Sequence, residues 1–480
     1  MRDVLRDGRL IFTLTLRCPS LSTPVRGAVA LVAPSVQSTR ATPRIKSSRR
    51  TTSAAERLPI VAARPGRAPL WWVLAACLLL ATVLTLVVAG TAAVSHDDPY
   101  LTGRVWLDGW FHGDAVWYSR IAEAGYFYRP GQQSSIAFFP VFPMLLRGVG
   151  SVLNGNYEMA GSLTGVVAGA AAALAFTMWV WTRFPRAEAV TAIAVLLVYP
   201  YSFFLFGAGY SDGLFLLTAV GAFVLLEHRM FWLAGFVGAF ATAGRPVGVA
   251  VAIGLLVRMF EIHAEQLCAN GIGRGGPTGA PESWGVTAHP LTPPPVATGH
   301  PTLRDLLTAA GDVGPREAGV LLSAVGVAGW CAYLWWQFGD PLAFVAVQAA
   351  PGWDQGSGPA TWLKFTFIET IGRRLANPTM LLTAQALAAL AAVLMLGHVR
   401  RRLGWGYMVY SFLVLAIPIV GTKDFMGVGR YVLAAFPVFA VAGGALALTR
   451  PYWVRILVLG LSGGGLILLT ALFAHGVEVS

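Results

Sequence analysis

The 480-residue chain is short of charge: Asp, Glu, Lys and Arg make up 12% of it, about half the share usual in a soluble domain. Apolar residues make up 56%, and the mean hydropathy is +0.63. Together these values exclude a soluble globular enzyme. Cysteine is scarce as well. Cys18, Cys77, Cys268 and Cys331 show no CxxC or zinc spacing, which excludes a disulfide framework and a cysteine metal centre. The Asp-x-Asp spacing of soluble sugar-nucleotide transferases is missing, and no metal cluster is visible, so neither a metal nor a cofactor is expected. There is no internal repeat of the kind an inverted-repeat transporter carries. Lysine is almost absent, with three against 32 arginines, which points to a GC-rich and actinobacterial type of genome.

What charge there is gathers at the front. Residues 1–68 hold thirteen cations and three acids, a net +10, while the other 412 residues hold 22 cations and 20 acids. The overall +12 therefore belongs to a basic tail, and the near-neutral body gives no support to nucleic-acid binding. The tail is rich in Arg, Ser and Thr and shows no helical stripe. It reads as a disordered cytoplasmic extension, with a targeting segment or a lipid-facing arm as the alternatives.

Uncharged apolar runs of about 20 residues span roughly 30 Å of hydrocarbon as helices. Such runs lie near 70–94, 159–182, 188–207, 212–226, 317–338, 379–397, 407–421, 431–449 and 456–474. The stretch 230–260 is too long for one simple helix and is broken by Gly244-Arg245-Pro246. Read as a hairpin turning near Arg245, it puts the loops bearing Arg183, Arg186, Arg229, Arg400–Arg402, Arg450 and Arg455 on the cytoplasmic side with the tail, as positive loops require. The expectation is an all-α polytopic membrane protein with about eleven spans in the plasma membrane, or the endoplasmic reticulum membrane in a eukaryote, its N-terminus cytoplasmic. Its parts are the tail 1–68, an N-terminal membrane part 69–260 with a first outer loop 95–158, a Pro/Gly-rich cytoplasmic connector 261–316, and a C-terminal part 317–480 with a second outer loop 339–378.

The first outer loop carries the candidate chemistry: VWLDGWFHGDAVWYSRIAEAGYFYRPGQQSSIAFFPVFPMLLR, residues 105–147. Trp117, Tyr118, Ile121 and Gly125 suit a short helix at the membrane surface. Asp114 stands at the start of that helix, either as a cap or as a carboxylate facing a cavity. Asp108, Asp97 and Asp98 are alternative carboxylates. Asp212 follows Tyr210-Ser211 and opens a span, where it starts the helix, binds a ligand's hydroxyls or orients an arginine. Arg245 lies where a charge costs about 2.5–3.5 kcal/mol on insertion scales. It is either half of an intramembrane ion pair, with Asp212 as the partner, or a fork for phosphate. Arg430 is the second such cation. His112 is a lone imidazole in the same loop, and Trp117, Tyr118 and Tyr126 suit either a binding surface or an interfacial aromatic belt.

These residues fall in motifs that resemble the PIG-V family, the second mannosyltransferase of GPI assembly, and its bacterial relatives. Asp114-Ala115-Val116-Trp117-Tyr118, Ile121-Ala122 with Gly125-Tyr126, and Ala137-Phe138-Phe139-Pro140 with Pro143 are similar to three stretches of that family's loop. One departure is Gly113, which stands where the family has Trp; Trp106-Leu107-Asp108 is a looser echo. YPYSFFLFGAGYSDGLFL (199–216), Arg245-Pro246 and GRYVLAAFPVF (429–439) resemble three further segments, so the likeness runs from about 70 to 449. It implies a GT-C fold and inverting transfer of mannose from polyprenyl-phosphate mannose, outside the cytoplasm, to a glycan, glycolipid or protein hydroxyl. Asp114 would be the general base, and Arg245 and Arg430 would bind the donor phosphate. The competing readings are a flippase of lipid-linked sugars and a GT-C transferase of another sugar, such as arabinose or glucose.

Overall fold

A computed structural model describes residues 66–92, 104–271, 301–373 and 376–479. Asp97, Asp98, Arg374 and nearly all of the tail lie outside these residues. Among the described residues there are helices and turns and no strand. Among the described residues each apolar run is helical over most of its length. Six helices are long and apolar enough to cross a bilayer singly: Pro69–Thr91, Tyr157–Trp181, Pro246–Leu267, Glu317–Phe338, Thr379–Leu403 and Tyr452–Ala474. The pair Val428–Ala434 and Phe436–Leu448 makes a seventh if counted as one span. The chain is thus a polytopic helical membrane protein.

Two runs that read as continuous are broken, each at a proline. Helix Arg186–Val198 stops before Pro200, whose ring disfavours helical backbone at Tyr199. The chain then makes a short 3-10 turn, Ser202–Leu205, before helix Asp212–Glu227. Pro437 opens helix Phe436–Leu448, which is bent 84° from Val428–Ala434 because proline cannot donate the backbone bond a straight helix needs there. Each break lies within fifteen residues of a candidate site residue, Asp212 after the first and Arg430 before the second.

Small residues let the first of these turns settle. A Cβ at Gly169 would lie 1.9 Å from the Leu205 carbonyl oxygen. Only glycine on helix Tyr157–Trp181 allows the 202–208 backbone to approach this closely, as small residues do at helix contacts in membranes. Phe203, Phe204, Phe206, Phe215, Phe223 and Phe436 are fully buried in the same core.

The 230–260 stretch does break near Arg245. Helix Phe231–Thr242 ends, Arg245 is extended, and a 3-10 turn leads into helix Val249–Gly271. The Val141 N–H donates to the Ala243 carbonyl at 3.3 Å, which ties this break to the first outer loop. Helix Val249–Gly271 runs eleven residues into the segment read as a connector. Glu261 holds it there by accepting from the Trp405 and Gly406 N–H groups at 2.9 and 3.2 Å. A second short helix, Leu303–Ala309, starts from a capping box of Thr302 and Asp305.

Candidate functional site

Four charged side chains from four separate motifs meet at one place. Asp114 is the first residue of helix Asp114–Ala124. Its Oδ2 accepts from Arg430 Nη1 at 2.7 Å. Arg430 Nε stands 3.9 Å from Asp212 Oδ2. Asp212 Oδ1 in turn accepts from Arg245 Nη1. The order is carboxylate, guanidinium, carboxylate, guanidinium, and the formal charges cancel. Asp212, Arg245 and Arg430 side chains are 4%, 5% and 9% exposed, whereas Asp114 is 26% exposed. Of the two carboxylates in this cluster, Asp114 is the one open to its surroundings.

Local sequence explains each placement. Pro246 biases Arg245 toward extended backbone, and its φ and ψ are −155° and 152°. Gly113 has φ +59°, and a Cβ there would lie 2.7 Å from the Tyr210 hydroxyl oxygen. A side chain at 113 would be strained at that φ and would press on the Tyr210 hydroxyl. Tyr210 then clamps the turn. Its hydroxyl donates to the His112 carbonyl at 2.9 Å and accepts from the Asp114 N–H at 3.1 Å.

Aromatic faces enclose the cations. The Arg245 guanidinium lies 4.7 Å from the Tyr431 ring centroid, and that of Arg430 lies 5.0 Å from Tyr210 and 5.3 Å from Phe204. Such contacts are worth more when desolvated. Tyr118 belongs to the site's edge, its hydroxyl sharing a hydrogen bond with Ser211 Oγ at 2.8 Å. Burial, before the nearby Asp114 charge, pushes the Tyr118 phenol well above its ordinary value.

The other expected residues are placed elsewhere. Trp117 turns away, its ring centroid 5.1 Å from that of Trp353 in the segment 339–378. Tyr126 packs against Trp330 and Tyr333. His112 contributes its carbonyl to the Tyr210 clamp, and its ring meets Phe473 edge-on at 5.6 Å. Asp108 is buried at the end of a short helix, Val105–Asp108. Among the described residues no three His, Cys, Asp or Glu side chains gather closely enough to hold a metal ion. Tyr210 and Tyr431 were not singled out from the sequence. Each neighbours a residue that was, within the motifs Tyr210-Ser211-Asp212 and Arg430-Tyr431, and adjacency was the available signal.

No family model and no curated protein matches the chain. Among solved structures it is similar to the apo oligosaccharyltransferase of Archaeoglobus fulgidus, at 13% identity and a TM-score of 0.43, over 84% of this chain and 56% of that one. It is also similar to the oligosaccharyltransferase AglB of Archaeoglobus fulgidus in complex with an inhibitory peptide and a dolichol-phosphate. There the identity is 13% and the TM-score 0.40, over 83% of this chain and 55% of that one. The chain spans little more than half the length of these proteins.

Proposed function

We propose that this protein is an integral-membrane glycosyltransferase of the GT-C type. It moves mannose from a polyprenyl-phosphate mannose to a hydroxyl of a glycan, glycolipid or protein on the extracytoplasmic face. The observation that carries this reading is the convergence of Asp114, Asp212, Arg245 and Arg430, with only Asp114 open. A lipid-phosphate donor suits that arrangement. Its leaving group is already stable as an anion and is met by arginine without a divalent ion. The acceptor oxygen attacks C1, the C1–O bond to phosphate breaks, and the hydroxyl proton passes to the Asp114 carboxylate. A single displacement inverts the anomeric carbon and needs one carboxylate, unlike the flanking pair of a retaining hydrolase.

In this reading Arg430, next to the open carboxylate, meets the donor phosphate first. Arg245, held on Asp212, lies behind it and adds positive field. The mannosyl group and the family likeness belong together: both rest on the motif pattern. The test is an assay of purified full-length protein with polyprenyl-phosphate mannose, glucose and arabinose and a membrane extract, with donor and product identified by mass. Transfer of mannose that is lost in Asp114→Asn supports the proposal. Full activity in that variant sinks Asp114 as the base. Transbilayer movement of the lipid-linked sugar without transfer would favour the flippase.

A further inference from the structure

Two atoms in the site face each other without a hydrogen-bond partner. Asp212 Oδ2 and Arg430 Nε are both buried, both unsatisfied, and 3.9 Å apart. They are complementary, and a shift of about 1 Å brings them to ordinary N–H···O length. Buried polar atoms are nearly always paired, so an opposed unpaired couple marks a second position for one of them. Asp212 is fixed by its other oxygen on Arg245. Arg430 is the member free to move, since its guanidinium lies between the flat faces of Tyr210, Phe204 and Tyr431.

Arg430 Nη1 meanwhile occupies Asp114 Oδ2. A guanidinium N–H on that oxygen takes up one of its lone pairs and stands in the way of an approaching hydroxyl. Building on the proposed transferase reading, we infer that Arg430 has two positions and that the donor phosphate selects between them. Without donor it rests on Asp114. With donor bound, its Nη groups turn to the phosphate and its Nε closes on Asp212 Oδ2, which frees Asp114 Oδ2. Asp212 is thus a positioning residue that supplies Arg430's second acceptor. The carboxylate is fully clear of the guanidinium only when a leaving group is present.

This arrangement gives opposite signs for two similar substitutions. Asp114→Asn removes the anion that competes with phosphate for Arg430. Asp212→Asn puts an amide N–H opposite Arg430 Nε and removes the second acceptor. The probe is farnesyl phosphate, a short polyprenyl phosphate without sugar, titrated onto the purified full-length protein in detergent micelles. Asp114→Asn is expected to bind it about tenfold more tightly and Asp212→Asn about tenfold more weakly, the scale of one charge-assisted hydrogen bond. Asp212→Glu, which restores a carboxylate, should recover part of the loss. If Asp212→Asn fails to fold, Asp114→Asn decides alone, because its side chain lies at the open edge. Unchanged or weaker binding in an inactive Asp114→Asn overturns the two-position arginine and leaves Asp114 as the base. Full turnover in Asp114→Asn overturns both.

Discussion

Helix Asp212–Glu227 begins in one charged cluster and ends in another, about 22 Å away at the helical rise. The two clusters are built differently. At the far end Glu227 accepts from Arg258 Nε at 2.8 Å, Arg258 Nη2 at 3.3 Å and the Tyr407 hydroxyl at 2.9 Å, and pairs with Arg183 at 3.3 Å. Arg258 reaches Glu261 and Glu265 as well, and Trp179 donates to the Tyr407 hydroxyl. Glu188 pairs with Arg402. Each carboxylate there has its donors, and the contacts tie helix Tyr157–Trp181 to Asp212–Glu227, Val249–Gly271 and Trp405–Gly421. At the Asp114 end two complementary buried atoms face each other unpaired, and Asp114 is 26% exposed. The far end has no such facing pair among the described residues, and its exposed carboxylate, Glu265, is held on Arg258.

Substitutions can break or sharpen this contrast. The largest effect is expected at Asp114. Asp114→Asn should insert and fold normally yet lose about 10²–10⁴ in transfer rate, the usual worth of a general base, measured as product formed per mole of folded protein. The mirror outcome is expected at Glu227. Glu227→Gln leaves Arg258 and Arg183 short of a counter-charge and should lower stability by on the order of 3 kcal/mol. It should leave the donor affinity of the surviving folded protein alone, as thermal unfolding and farnesyl phosphate binding would show. Loss of donor affinity at full stability would end the contrast.

A smaller effect is expected at Gly169. Gly169→Ala pushes a Cβ against the Leu205 carbonyl, displacing the turn that carries Tyr210 and Asp212. Activity should fall about tenfold or more, since a misplacement of about 1 Å can cost a hundredfold, with unchanged expression in membranes as the control. The smallest lies at Lys364, in the second outer loop. It is buried, donates to the Thr422 carbonyl, and burial lowers its amine to about 8. Below about pH 8 folded and unfolded chains both carry the proton, and the cost of burying the charge is present in full. Between about 8 and its unfolded value near 10.5 the unfolded chain binds more protons, so stability should rise with pH. That rise should vanish in Lys364→Met, followed by unfolding temperature across the window.

Legibility followed the range of each interaction. The helices were readable because an apolar run of given length declares itself residue by residue. Arg245, Asp212 and Arg430 were readable as exceptional because charge inside an apolar run is costly wherever it packs. The Arg245–Asp212 pair was open as one of two alternatives, and the structure forms it. The bends at Pro200 and Pro437 were missed because hydropathy carries across a proline while backbone geometry does not. Trp117 and Tyr126 were grouped with the site on chemistry alone, but Trp117 packs on Trp353, and Tyr126, just past the helix end, packs on Trp330 of helix Val325–Phe338.

By itself, then, the sequence determined that this is a helical membrane protein with a basic front and a handful of charges in apolar surroundings. Partner choice was left to the tertiary structure. Asp114 and Arg430 are 316 positions apart, and no spacing or periodicity joins them. Their contact exists because Gly113, Gly169, Pro246 and Pro437 let four chain segments turn toward one end of the bundle. Only that packing decides which carboxylate is buried, which is open, and which two atoms still face each other unpaired.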